Sequence, residues 1–137
     1  MRVDASGRAI GASLEQVPNG MEAKTIDEML KMKTVPVGFM FRKLTESQIR
    51  TWDIRDKVCY AIISALEKWA GWIGLRLVVN LTDHKALEHW VTEVLESPSS
   101  VCGRRARWHQ KLSRFKIVVQ YIQRKDNVVA DALSRYA

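Results

Sequence analysis

The sequence predicts an α/β fold, in which helices cover the faces of one mixed β-sheet. At 137 residues, 47% of them apolar, the chain has the length of one domain and enough apolar residues for its own core. Strand-like and helix-like segments also alternate along the chain, and two strands without a long helix between them come first. We therefore expect a single domain over residues 1–137, with a hairpin followed by alternating helices and strands.

The first half of the chain supplies the predicted hairpin and the longest predicted helix. Residues 11–16 and 35–41 are β-like runs, with a short helix expected around residues 26–32. A helix is predicted from Thr45 to Trp72. Thr45 and Gln48 fit a capping box at its start, and Gly71 and Gly74 are expected to end it. Its buried stripe is Val58, Ile62, Ala65, Trp69 and Ile73.

The second half continues the alternation. Residues 75–81 form an apolar, β-branched run that predicts a buried strand, and residues 117–122 predict another. Helical spacing is found at residues 83–95 and 103–115, and Asn127 is placed to cap a last helix. Trp108 is expected to anchor the helix over residues 103–115 to the core rather than to stack on bases.

Positive charge is concentrated in one segment of the chain. The net charge is +7, yet Ser97 to Lys125 holds eight basic residues and no acidic one, so the other 108 residues sum to −1. A local basic surface is typical of phosphate binding, although a solvated basic face remains open as an alternative. The residues expected to contact nucleic acid are Arg104, Arg105, Arg107, Lys111, Arg114 and Asn127.

Other site classes and locations are disfavoured by the sequence. No apolar run approaches the roughly 20 residues of a membrane span, and no apolar signal segment opens the chain, so we expect an intracellular protein of cytoplasm or nucleus that is not secreted. Cys59 and Cys102 lie far apart and are predicted to be reduced thiols. His89 and His109 form no zinc-ligand spacing with them.

Three aspartates lie where predicted strands and helices meet loops. Asp4 follows a very short first strand, Asp83 follows the strand over residues 75–81, and Asp131 lies in the first turn of the last helix. Strand ends converge in an α/β sheet, and converging carboxylates are stabilised by a divalent cation. Each aspartate alone is more often a helix cap or a turn residue, so spacing alone makes metal binding the less favoured interpretation.

The motifs around these aspartates resemble the ribonuclease H-like domain of gypsy-type retroelement reverse transcriptases. The resemblance covers the chain in order, through VDAS at residues 3–6, GASLEQ at 11–16, residues 39–44, TDHKAL at 82–87 and NVVADALSR at 127–135. It implies a five-stranded mixed sheet and two-metal hydrolysis of the RNA strand of an RNA/DNA hybrid with Mg²⁺ or Mn²⁺. The implied metal ligands are three aspartates, matched by Asp4, Asp83 and Asp131, and one glutamate. An upstream reverse transcriptase domain is an expected partner, whereas the oligomeric state is not predicted.

Three departures from the family pattern predict impaired catalysis. Val58 stands in the position of the glutamate, and the nearest acid, Asp56, lies about 200° away around a helix. Only three residues precede Asp4, so the first strand is clipped, and the loop before Asn127 has no histidine. We therefore expect weakly bound metal and weak or absent nuclease activity. The alternative is a non-catalytic nucleic-acid-binding or protein-interaction module that keeps the fold.

Overall fold

A mixed five-stranded sheet is the centre of the structure, a computed structural model that describes residues 1–17, 25–85 and 103–135. Its strands are β1 Arg2–Ala5, β2 Ala9–Gln16, β3 Val35–Lys43, β4 Leu77–Thr82 and β5 Lys116–Tyr121. Their order in the sheet is β3-β2-β1-β4-β5. The first three strands are antiparallel, whereas β4 runs parallel to both β1 and β5. The predicted fold class, an α/β fold with a mixed five-stranded sheet, is confirmed.

Helices pack against both faces of this sheet. In the described residues they are α1 Ile26–Lys31, α2 Glu46–Thr51, α3 Ile54–Lys68, α4 Ala70–Ile73, α5 Gly103–Leu112 and α6 Val128–Arg135. A 3₁₀ turn, Arg124–Asp126, precedes α6. Ile10 and Ala12 of β2 belong to the core beneath α3, whereas Gly11 between them faces α6. Because successive strand residues point to opposite faces, α3 and α6 cover opposite sides of β1 and β2.

The single helix predicted from Thr45 to Trp72 was wrong, because the chain breaks it into three. The capping box at Thr45 is confirmed: its hydroxyl accepts from the Gln48 amide, and the Gln48 side chain accepts from the Thr45 amide. α2 then stops at Trp52, which is extended, and the Asp53 carboxylate starts α3 by accepting from the amide of Asp56 at 2.9 Å. A second local cap therefore outweighed the continuous apolar periodicity.

Other boundaries shift by a few residues. The helix predicted to begin at Asp83 does not begin there, since Asp83, His84 and Lys85 form a bend and a turn, and the rest of that prediction lies outside the described residues. The predicted core role of Trp108 is confirmed, because its side chain is buried and meets the ring of Trp52 edge-on at 5.5 Å.

The edges of the sheet differ in exposure from its centre. β3 is an edge strand, and Phe39 and Phe41 on it are 54% and 58% exposed. Val3, Val58 and Cys59 are instead fully buried in the core between the sheet and α3. None of the helices in the described ranges is long and apolar enough to cross a membrane.

Candidate metal and nucleic-acid site

The three predicted aspartates line one cavity of about 350 Å³. Asp4 lies on β1, and Asp83 directly follows β4, the parallel neighbour of β1. The register pairs Arg2 with Leu81, so the carboxyl ends of the two strands bring Asp4 and Asp83 side by side. α6 packs across β1 and β2 and contributes Asp131 from its first turn.

Asp4 is the most deeply buried of the three carboxylates, with 5% of its surface exposed. Burial raises the pKa of Asp4 to about 6, and the negative charges of Asp83 and, more weakly, Asp131 act in the same direction. The hydroxyl of Ser134 on α6 opposes this shift by donating to Oδ2 of Asp4 at 2.9 Å. Negative charge is therefore held in a place where a cation would stabilise it.

Asp4, Asp83 and His84 form a compact group of cation-binding atoms. One carboxylate oxygen from each aspartate and one ring nitrogen of His84 lie within 4.8 Å of one another. From sequence, His84 could equally have capped a helix or faced solvent. The structure places it in this group, with Nε2 3.8 Å from Oδ1 of Asp83.

Asp131 is engaged by two arginines that sequence reasoning did not select. Nε of Arg135 lies 2.9 Å from Oδ1 of Asp131, and Nη2 of Arg124 lies 3.7 Å from the same oxygen. Both arginines line the cavity with the aspartates. The i,i+4 spacing of Asp131 and Arg135 on one helix was a signal that could have revealed the first pair.

The predicted basic surface is partly described. Arg107, Lys111 and Arg114 are exposed, while Trp108 and Leu112 bury the opposite side of α5. Lys111 is paired with Glu67 of α3 at 2.9 Å. Arg104 and Arg105 belong to α5, but their side chains lie outside the described part of the structure.

Asn127 does not fit its predicted contact with nucleic acid. Its side chain is fully buried and donates through Nδ2 to the carbonyl oxygen of Val3 at 3.0 Å. This bond ties the start of α6 to β1, the strand that bears Asp4. The structure therefore corrects the expectation: Asn127 holds two elements of the site together from inside the fold.

Comparison with known proteins identifies the family. Residues 1–115 match the family described as the RNase H-like domain found in reverse transcriptase. The chain belongs to this family. It is also 32% identical to the Transposon Tf2-3 and Tf2-4 polyproteins of Schizosaccharomyces pombe, over 98% of the chain but only 9% of each polyprotein.

A solved structure supports the fold of this RNase H-like domain. The crystal structure of RNase H1 from the halophilic archaeon Halobacterium salinarum NRC-1 aligns with a TM-score of 0.59. The alignment covers 97% of this chain and 94% of that chain at 20% sequence identity. At this identity the likeness shows the shared fold.

In the described part of the chain, α3 presents no carboxylate to the cavity at the position where the family resemblance implies a glutamate. Val58 is fully buried in the core, and the residue of α3 that lines the cavity is Ile54, one turn earlier. Asp4 and Asp83 thus fit one hard cation that prefers oxygen ligands. Among the described residues, α3 offers no carboxylate to the cavity, and Arg124 and Arg135 compete with a cation for the carboxylate of Asp131.

Proposed function

We propose that this RNase H-like domain binds RNA/DNA hybrid and holds one divalent cation, Mg²⁺ or Mn²⁺, weakly between Asp4 and Asp83. We further propose that its hydrolysis of the RNA strand is strongly impaired. The observation that carries this proposal is the position of Val58, whose side chain is fully buried at the point where the family resemblance requires a carboxylate.

The proposed metal ligands are held from several elements. Asp4 is fixed by the Ser134 hydroxyl on one oxygen, and its raised pKa means that proton loss and cation binding are coupled. A bound cation would neutralise phosphate charge and activate a water molecule. Among the described residues, Asp4 and Asp83 are the two cavity carboxylates that no arginine engages, and two are too few to hold a second cation against the same phosphate.

Hybrid binding is proposed for the exposed basic edge formed by α5 and the turn that follows it. Arg107 on α5 and Arg114 in the turn are exposed, in the segment that holds eight basic residues and no acidic one. Arginine donates to phosphate oxygens through a planar fork of N–H groups, so contacts with a duplex backbone need no base sequence. We also propose that the domain is part of a longer polyprotein with a reverse transcriptase domain upstream. Two findings support this: the matched family is found in reverse transcriptase, and the chain covers only 9% of the transposon polyproteins.

A second candidate function is a nucleic-acid-binding module without any hydrolysis. The observation that favours it is the engagement of Asp131 by Arg124 and Arg135, which neutralises the third carboxylate. The two candidates share the binding step and differ only in residual cleavage.

One experiment on a labelled RNA/DNA hybrid distinguishes the two candidate functions. Cleavage is followed in Mg²⁺ and in Mn²⁺, and binding is measured by fluorescence anisotropy on the same substrate. We expect binding with cleavage barely above background, and Asp83→Asn should abolish whatever cleavage remains. Residual cleavage that Asp83→Asn leaves intact favours a contaminating nuclease and hence the module without hydrolysis, whereas no binding of hybrid at all refutes both candidates.

A further inference from the structure

The cavity contains basic as well as acidic side chains. Asp4 and Asp83 form its acidic group, and the guanidinium groups of Arg124 and Arg135 line the same cavity. We propose that Arg124 and Arg135 are a phosphate-binding pair that seats one nucleic-acid phosphate beside Asp4 and Asp83. This inference rests on the proposed function, since it names the contacts through which the site would hold its substrate.

The two arginines carry more positive charge than the carboxylate of Asp131 neutralises. They reach the same oxygen of Asp131 from different elements, Arg124 from the 3₁₀ turn after β5 and Arg135 from the last turn of α6. One carboxylate opposes two guanidinium groups, so this group of three side chains has a net charge of about +1 at neutral pH. The surplus is available to an anion.

Their hydrogen-bonding capacity is also incompletely used by Asp131. Arg135 approaches it through Nε, and the 3.7 Å separation from Arg124 is longer than a hydrogen bond. Each guanidinium has five N–H donors in a fork that matches two phosphate oxygens. The side chains are 66% and 45% exposed, and ion pairs at such exposure are weak, so exchanging Asp131 for phosphate costs little.

A phosphate in this cavity needs positively charged side chains beside it. Without the arginines, its negative charge would be repelled, because the cavity holds three carboxylates, those of Asp4, Asp83 and Asp131, and one divalent cation balances the charge of only two. The arginines would supply the positive charge that a second cation provides when α3 bears an acid. They also compete with any cation for the oxygen of Asp131.

Because the arginines compete with a cation for Asp131, their removal should change the affinities for hybrid and for Mg²⁺ in opposite directions. Arg135→Ala should weaken hybrid binding, because a phosphate contact is lost, and should tighten Mg²⁺ binding, because Asp131 is released towards the cation. A purely structural role for Arg135 would instead lower both affinities or leave both unchanged.

The test measures hybrid affinity by anisotropy over a range of salt concentrations. Arg124→Ala and Arg135→Ala are compared with Arg76→Ala, which removes an exposed arginine before β4, at the opposite end of that strand from Asp83. Each cavity variant should reduce the slope of log affinity against log salt by about one unit, whereas the control should leave it unchanged. At low salt we expect roughly tenfold weaker binding for each cavity variant, a typical effect of losing one charged hydrogen bond.

Mg²⁺ affinity is measured on the same proteins by calorimetry without nucleic acid. Arg135→Ala should bind Mg²⁺ more tightly than the wild type. Wild-type slopes in both cavity variants, with hybrid still bound, overturn this inference and leave the proposed function standing. No hybrid binding by the wild type overturns the proposed function itself. Should Arg135→Ala fail to fold, as its melting curve would show, Arg124→Ala in the exposed 3₁₀ turn decides the question.

Discussion

Replacing Val58 by glutamate places a carboxylate at the position where the family resemblance implies one. The side chain of Val58 is fully buried, so the substitution removes apolar burial worth about 1.5–3 kcal/mol. It also places a carboxyl group in the core, at a further cost of several kcal/mol if it ionises. Because domains are stable by only about 5–15 kcal/mol, metal-free Val58→Glu should be close to unfolding.

Divalent cation should recover part of this loss and raise the rate. At a concentration 100-fold above its dissociation constant, Mg²⁺ stabilises the folded state by about 2.7 kcal/mol. A preorganised group that stabilises transition-state charge is commonly worth about 10²–10³ in rate, so we expect Val58→Glu to cleave hybrid at least about tenfold faster than the wild type. Cleavage is measured under single-turnover conditions, and stability by thermal melting with and without Mg²⁺.

Ile54→Glu is the matched control for charge. Ile54 lines the cavity one turn before Val58 and is 38% exposed, so a glutamate there adds the same charge with a smaller cost to folding. A gain in cleavage by Val58→Glu alone indicates coordination at one position, whereas equal gains in both indicate charge alone. Robust Mg²⁺-dependent cleavage by the wild type, abolished by Asp83→Asn, would refute the reasoning about the missing ligand.

Three further predictions concern titration, packing and the basic helix. Since burial raises the folded pKa of Asp4 from 3.8 to about 6, the metal-free protein should lose up to roughly 3 kcal/mol of unfolding free energy as pH rises from about 4 to about 6. Urea titrations should show this loss reduced in Asp4→Asn, and an identical pH dependence in that variant contradicts the assignment. Gly11→Ala should lower the melting temperature, because a Cβ there lies 2.7 Å from atoms of α6 and overpacking costs about 1–3 kcal/mol; Gly71→Ala, with open space around it, should not. In hybrid-binding titrations against salt, Arg107→Ala should flatten the slope by about one unit and Lys111→Ala by less, because the ammonium of Lys111 is already salt-bridged. Equal effects would show that this salt bridge does not limit contact with phosphate.

The sequence predicted the order of strands and helices better than the residues at which the helices begin and end. The order of apolar segments identified all five strands to within a few residues once the short first strand is included, because strand burial follows directly from apolar runs. It did not predict the break between α2 and α3. There the cap formed by Asp53 interrupts a pattern that periodicity alone reads as continuous.

The carboxylates of the candidate site could be predicted from the sequence, whereas the residues that pair with them could not. Asp4, Asp83 and Asp131 could be selected because they follow strand ends or begin a helix, and the structure places them around one cavity. The pairing of Asp131 with Arg124 depends on where the 3₁₀ turn lies relative to α6, which is a tertiary relation. The burial of Asn127 just before α6 could not be predicted from its residue type either, because asparagine usually faces solvent.

The exposed aromatic residues of β3 have a consequence for handling the isolated chain. An edge strand with unpaired backbone groups is a template for another strand, and the exposed rings of Phe39 and Phe41 make such pairing more favourable. Pro36 near the start of β3, and Arg42 and Lys43 at its end, are residues of the kinds that natural edge strands use to discourage self-association. Charge repulsion between copies is screened by salt, so high ionic strength would favour aggregation through this edge at the same time as it weakens contacts with nucleic acid.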